Sequence, residues 1–241
     1  MYILAIDTTG PVGSAALLDL KTGETRQKTT TEAMSHLRRL AALMEALFEE
    51  GQVKPADIAA VAASIGPGSF TGIRIGVSTA RAFAQARDLP CVPVGTLDMF
   101  RLLSGEGDPA AVILNARRGQ VYGAVFDENG EDILKPGPYM LTDVLACVRE
   151  AGIDPVFYGD GIDAYMDQLA GYRLAPCEDR YQTAALTACY AKKAFEAGET
   201  CRYDALLPDY MRETEAETKL KDGSLARARA AKMAKFRSRL K

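Results

Sequence analysis

Histidine occurs once in the 241 residues, at position 36, and tryptophan not at all. With a single imidazole, a His-x-x-x-His or His-Glu-x-x-His metal site cannot be assembled. A Ser-His or Cys-His nucleophile pair would have to use that one side chain. Next to Ser35 and before Leu37, at the start of a helix, His36 reads most simply as a surface or interface residue, with general-base duty as the alternative. The five cysteines, at 91, 147, 177, 189 and 201, form no Cys-x-x-Cys pair and are odd in number. A disulfide framework is therefore not expected, and the pattern suits buried or incidental thiols in a reducing compartment. No apolar run approaches the length that spans a bilayer. The amino terminus enters a strand without a basic start and a small-residue cleavage site, so the expectation is a cytoplasmic protein with no membrane role.

What is present is ordinary in quantity and uneven in placement. Hydrophobic residues at 48% suffice for one large core or two modest ones. Residues 219–241 carry nine Lys and Arg against Asp222, a net of +8; the other residues hold 20 basic and 31 acidic side chains, a net of −11. An acidic body is a poor phosphate binder, so direct nucleic-acid contact falls to the tail. Met233, Phe236 and Leu240 would give residues 226–240 one small apolar edge as a helix, and a solvated tail is the competing reading.

The most informative stretch is Ser64-Ile-Gly-Pro-Gly-Ser-Phe-Thr-Gly-Ile-Arg-Ile-Gly76. Ile58–Ile65 reads as a buried strand, a glycine-rich loop follows, and a helix over Thr71–Arg87 begins with Ser69 as its cap. A helix start of this kind can receive an anion. The spacing matches neither common phosphate fingerprint: no Gly-Lys-Ser/Thr ends the loop, and Gly66-x-Gly68-x-x-x-Gly72 is one residue too long for a dinucleotide turn. A tight strand-to-helix turn and an anion site both remain open on chemistry alone.

The chain also repeats itself. With Ile6-Asp7 laid over Leu114-Asn115, Ala16 falls on Ala124, Leu17 on Val125, Leu18 on Phe126 and Asp19 on Asp127, while Thr22-Gly23 is one step out of register with Asn129-Gly130. Third strands near Glu24–Thr30 and Glu131–Lys135 follow. The first half continues with helix Ala33–Glu50, strand Ile58–Ile65 and helix Thr71–Arg87; the second with Thr142–Ala151, Pro155–Tyr158, Ile162–Leu169 and Thr183–Ala197. Two β-β-β-α-β-α units in tandem make an α/β protein that resembles the duplicated ribonuclease-H-like fold of the actin, Hsp70 and sugar-kinase (ASKHA) superfamily. The expected division is a first half over 1–104, a second over 105–218 and the tail over 219–241, with the boundary in the polar stretch Ser104-Gly-Glu-Gly-Asp-Pro109.

Ile3-Leu-Ala-Ile-Asp-Thr-Thr9, the Gly-Pro-Gly-Ser-Phe-Thr-Gly-Ile-Arg-Ile-Gly segment and Pro208-Asp-Tyr-Met-Arg212 together resemble the TsaB (YeaZ) family, over about residues 1–218. That family is the dimerisation subunit of the bacterial machinery that makes threonylcarbamoyladenosine in tRNA. The resemblance implies a non-catalytic subunit that pairs with the catalytic TsaD and recruits the ATPase TsaE, meeting tRNA through the complex. It implies a partner face on the first two helices, and Met34, Leu37, Leu40, Ala41, Met44, Gly72, Ile73, Gly76, Val77, Ala80 and Phe83 are the candidates. Small residues would let a helix approach closely, although the same residues could pack on the chain's own sheet. An isolated chain would pair with itself through the same face.

In the superfamily a nucleotide lies between the halves, its phosphates held by the two hairpins. Candidate contacts here are Asp7, Thr8, Thr9, Ser69, Asn115 and Arg117. Asn115 lacks the charge of a second metal-holding carboxylate, and Asp7 could equally cap its own turn. Thr96 and Phe100 stand where TsaD carries its metal-binding histidines, so no metal site and no catalytic residue is expected. No cofactor should be tightly bound; ATP or ADP with magnesium is expected only at an assembled interface. The rival reading is an ATP-dependent small-molecule kinase or phosphotransferase of the same superfamily.

Overall fold

Alternation is nearly invisible in Tyr2–Asp7 because both faces of this strand are covered: Ile3, Leu4, Ala5 and Ile6 are all fully buried. It is the central strand of the first of two sheets. The computed structural model describes residues 1–30, 36–103, 107–117 and 119–211, with the backbone alone at 36–38. In chain order the first sheet has β1 (Tyr2–Asp7), β2 (Ser14–Asp19), β3 (Thr25–Thr29), β4 (Ile58–Gly66) and β5 (Cys91–Gly95). Helix α1 (His36–Gly51) follows β3, and α2 (Phe70–Arg87) joins β4 to β5. The strands lie in the order β3-β2-β1-β4-β5; the hairpins are antiparallel and β4 and β5 run parallel to β1.

The second sheet repeats this plan. Its strands are β6 (Ala110–Asn115), β7 (Gln120–Phe126), β8 (Asp132–Met140), β9 (Val156–Tyr158) and β10 (Arg173–Leu174), ordered β8-β7-β6-β9-β10. Helix α3 (Leu141–Ala151) follows β8, and a short α4 (Gly161–Tyr165) joins β9 to β10. The duplicated ribonuclease-H-like α/β fold expected from the sequence is the fold found, with a fifth strand closing each unit. β6 begins and ends 108 residues after β1. The ungapped overlay slips beyond that point. β1 and β2 pair from Asp7↔Ser14, leaving residues 8–13 in the loop, whereas Asn115↔Val121 leaves 116–120, one fewer. Ala16 therefore corresponds by its ladder partner to Gly123, and not to Ala124. Gly23 and Gly130 then coincide, both with positive φ (76° and 79°), as their turns require.

The linear division into halves also needs correction. Helix α5 (Ala184–Glu196), placed with the second half by sequence, crosses back and lies on the first sheet. Its small face, Ala184, Thr187, Ala188, Ala191 and Ala194, permits that approach, and the buried hydroxyls of Ser64 and Thr187 bond at 2.8 Å between β4 and α5. Helices α1 and α2 cover the opposite face through Leu4, Ile6, Leu17, Val61 and Ala63. Beyond α5, Cys201 pairs with Cys91 at the β5 edge, Leu206 is fully buried in the first-half core, and Asp209 N–H donates to Ile65 O. Residues 1–209 form one compact unit; the expected tail over 219–241 lies outside the described residues, as do residues 104–106 of the expected boundary at 104–109.

Candidate functional site

Ser69 caps α2 as the sequence predicts, its Oγ accepting from Gly72 N at 3.2 Å. What faces that helix start is the first hairpin loop of the same chain. Ser69 N donates to Thr9 O at 2.7 Å, and Thr8 Oγ1 donates to Gly72 O at 2.7 Å. Asp7, fully buried at the end of β1, accepts on Oδ1 from Thr9 N (2.9 Å) and Thr9 Oγ1 (3.0 Å). A Cβ on Gly68 would lie 2.5 Å from Thr9 O, and one on Gly72 1.8 Å from Thr8 O. The glycines of the motif thus serve contact between the two loops. Asp7, Thr8, Thr9 and Ser69 are brought together, Asp7 and Ser69 bonded to Thr9 and Thr8 bonded to Gly72.

The second hairpin is furnished differently. Asn115 N donates to Asp160 Oδ1 and its own Oδ1 accepts from Arg117 N, both at 2.8 Å, with Arg117 in the left-handed region at φ 65°. Burial raises the Asp160 carboxyl above the ordinary range, opposed by the Asn115 N–H. Nearby, Asp163 takes the phenolic hydrogen of Tyr181 and pairs with Arg180 at 2.9 Å. The Tyr181 hydrogen bond, more than the Arg180 charge, holds Asp163 below its usual value; the same bond pushes Tyr181 up to about 12. The following residues return to the first hairpin: Gln182 packs against Gly10, and Ala184 N donates to Ser14 Oγ at 2.8 Å. Segment Arg180–Ala184 therefore ties Asp163 of the second half to the first hairpin. Sequence reasoning did not single out Asp160, Asp163, Tyr181 or Gln182, since no motif marks them.

The expected partner face divides on inspection. Gly72, Ile73, Gly76, Val77 and Ala80 are buried against the chain's own β1 and β4, and Leu40 and Met44 belong to the same core. A Cβ on Gly76 would stand 2.5 Å from Thr8 Oγ1 and 3.5 Å from Ile6 Cγ2. The every-fourth-residue glycine and alanine edge is a close crossing, but its partner is the first hairpin. Ala41 is exposed, and Phe83 is half-buried with its ring stacked on Phe48 at 6.0 Å. Met34 and the side chain of Leu37 lie outside the described residues. The outward strip of α2 is instead Thr71, Ser78, Ala82 and Ala86 with the half-buried Ile75, and Ala42 is exposed on α1. Its i, i+4, i+7 spacing is legible in the sequence, but the more regular glycine edge obscured it.

Thr96 and Phe100 are both fully buried, and the Phe100 ring meets Tyr158 at 6.4 Å. Among the described residues no group of three His, Cys, Asp or Glu could hold a metal ion, and no helix is long and apolar enough to cross a membrane.

Residues 29–154 match the family model described as TsaD: tRNA N6-adenosine threonylcarbamoyltransferase. The chain is 30% identical over 234 residues to the tRNA threonylcarbamoyladenosine biosynthesis protein TsaB of Escherichia coli K12, covering 91% of this chain and 98% of that one. It belongs to the TsaB (YeaZ) family. The protein of the same name from Bacillus subtilis is 29% identical over 227 residues, 91% of this chain and 97% of its own. The solved structure of YeaZ from Pseudomonas aeruginosa superposes with a TM-score of 0.73 at 25% identity, covering 87% of this chain and 99% of that one. The activator of a 2-hydroxyisocaproyl-CoA dehydratase from Clostridium difficile, solved with ADPNP bound, shares the fold at a TM-score of 0.51 and 11% identity. In this member of the TsaB family, the first hairpin loop is bonded to the start of α2 and the second to Asp160.

Proposed function

We propose that this chain is a non-catalytic subunit of the machinery that forms threonylcarbamoyladenosine in tRNA, modifying N6 of the adenosine 3′ of the anticodon in tRNAs that read codons beginning with A. The observation that carries the reading is full-length likeness, over 91% of the chain, to proteins named for that biosynthesis. The site supports a non-catalytic role. Asp7 and Ser69 are bonded to Thr9 and Thr8 to Gly72, the chain has one histidine, and the buried Thr96 and Phe100 stand where the resemblance places the metal ligands of TsaD. Chemistry and its metal would belong to TsaD.

Pairing with TsaD uses the outward faces of α1 and α2, and TsaE joins the assembled pair. Without TsaD the same strip makes a homodimer. The only place this reading leaves for ATP or ADP with magnesium is the assembled interface. Ala82 is exposed on α2 and Ala41 on α1, so Ala82→Glu and Ala41→Glu leave the fold intact while placing an unpaired carboxylate in the joint. Light scattering and affinity measurement with TsaD should then read about a hundredfold weaker pairing or worse. Undiminished pairing by both variants would remove α1 and α2 from the interface.

A further inference from the structure

The chain's five thiols are free, and two of them face each other. Cys91 opens β5, and Cys201 lies on the strand-like segment that returns to the β5 edge. The pair exchanges both backbone bonds, Cys91 N to Cys201 O and Cys201 N to Cys91 O, each at 2.8 Å. An antiparallel pair of this kind holds its Cα atoms about 5.5 Å apart, inside the range that a disulfide spans, and puts both side chains on one face of the ladder. The Cβ atoms need to close by roughly 1 Å, which an edge segment paired at a single bridge can supply. Cys147, Cys177 and Cys189 sit on other elements: α3, a short turn at Cys177–Asp179, and α5.

We infer that Cys91 and Cys201 form a redox-responsive cross-link site, closed by a low-molecular-weight disulfide such as oxidised glutathione. The order of events follows from exposure. Cys91 is fully buried and Cys201 is partly open, so Cys201 meets the reagent. Its thiolate attacks one sulfur of the reagent, the S–S bond breaks, and one glutathione thiolate leaves. The Cys91 thiolate then attacks Cys201 Sγ in the mixed disulfide and displaces the second glutathione. Two electrons pass to the reagent, and the two cysteine protons end on the two released thiols. Burial, reinforced by Cys201 itself, pushes the Cys91 thiol up to about 11, so the closing step is slow at neutral pH and quickens as pH rises.

The cross-link would join β5 to the segment that carries Leu206 into the core and Asp209 onto Ile65. It would therefore fix the carboxyl-terminal return of the chain on the first sheet. The test is incubation of the full chain with oxidised glutathione at pH 8.5, followed by thiol counting in denaturant, peptide mapping and thermal unfolding. Free thiols should fall from five to three without a retained glutathione, the map should link Cys91 to Cys201, and the unfolding midpoint should rise by about 5 °C or more. Cys201→Ser, at the partly open position, should abolish both the link and the thermal gain. A glutathione held on Cys201 beside an alkylatable Cys91, a bridge between other cysteines, or five thiols left free would each overturn the inference.

Discussion

Gly72→Ala sets two effects of opposite sign against each other. At an unconstrained helical position, alanine stabilises relative to glycine by about 1 kcal/mol. At residue 72 the added Cβ would lie 1.8 Å from Thr8 O and 3.0 Å from Thr8 C, both backbone atoms that no rotamer can move. The helix start must lift off the hairpin, straining the bonds from Thr8 Oγ1 to Gly72 O and from Ser69 N to Thr9 O. Overpacking at about 1–3 kcal/mol plus weakening of buried hydrogen bonds at about 1 kcal/mol each gives a net loss of about 2–4 kcal/mol. Urea unfolding should move its midpoint down by about 1 M or more. Gly76→Ala differs in kind, since its Cβ would meet the Thr8 hydroxyl at 2.5 Å. Thr8→Ala removes that obstacle, so the pair Thr8→Ala/Gly76→Ala should recover about 1–2 kcal/mol relative to additivity, while Thr8→Ala should not rescue Gly72→Ala. A Gly72→Ala protein as stable as the parent, or one rescued by Thr8→Ala, would refute the assignment of this edge to the hairpin.

Four further outcomes are expected. Arg101 pairs with Asp98 at 3.1 Å and Asp132 at 2.7 Å, donates to Gly130 O and lies over the Phe126 ring, so Arg101→Met should cost about 1–3 kcal/mol in denaturant, its partial exposure keeping the loss below that of a fully buried pair. Asp163 is held below its ordinary value, so its contribution is present above pH 3.8 and is lost as pH falls through the depressed value; Asp163→Asn should flatten the acid limb of the stability profile. Tyr181, raised from 10.0 to about 12, contributes fully below pH 10 and loses that contribution through pH 12, and absorbance titration of the parent against Tyr181→Phe should show the late phenol disappear. Deleting residues 219–241 should weaken tRNA binding by the assembled complex modestly and flatten its salt dependence, measured by filter binding at two salt concentrations, with TsaD pairing unchanged.

The elements were legible where apolar periodicity and capping residues agree. Ser69 caps as read, and Phe70–Arg87, Leu141–Ala151 and Ala184–Glu196 form within a residue of expectation, with Thr183 the cap of the last and not its first residue. Their tertiary partners were less legible. Helix α5 carries small residues suited to any close contact, and nothing in its own sequence says that it returns to the first sheet. The two-residue β10 is too short to leave a period, and β5, Cys-Val-Pro-Val-Gly, contains a proline. The small edge of α2 suggested the close approach of a partner helix; in the fold it packs on the first hairpin, which only the position of Thr8 reveals. Asp7, Thr8, Thr9 and Ser69 stand out among the candidate contacts because a strand end and a helix cap advertise themselves, but their mutual hydrogen bonding is visible only in the fold. The strap Arg180–Ala184 joins residues distant in sequence through Asp163, Gly10 and Ser14, and no local pattern encodes that.

Under the proposed function this chain enables threonylcarbamoyl transfer without performing it. The most direct measurement is transfer of labelled threonylcarbamoyl to tRNA in a reconstituted mixture of TsaD, TsaE and this chain, with each protein omitted in turn. Transfer is expected only when TsaD and this chain are both present, and Ala82→Glu should reduce it in proportion to lost pairing. Transfer by this chain without TsaD, or full transfer by TsaD and TsaE without this chain, would contradict it.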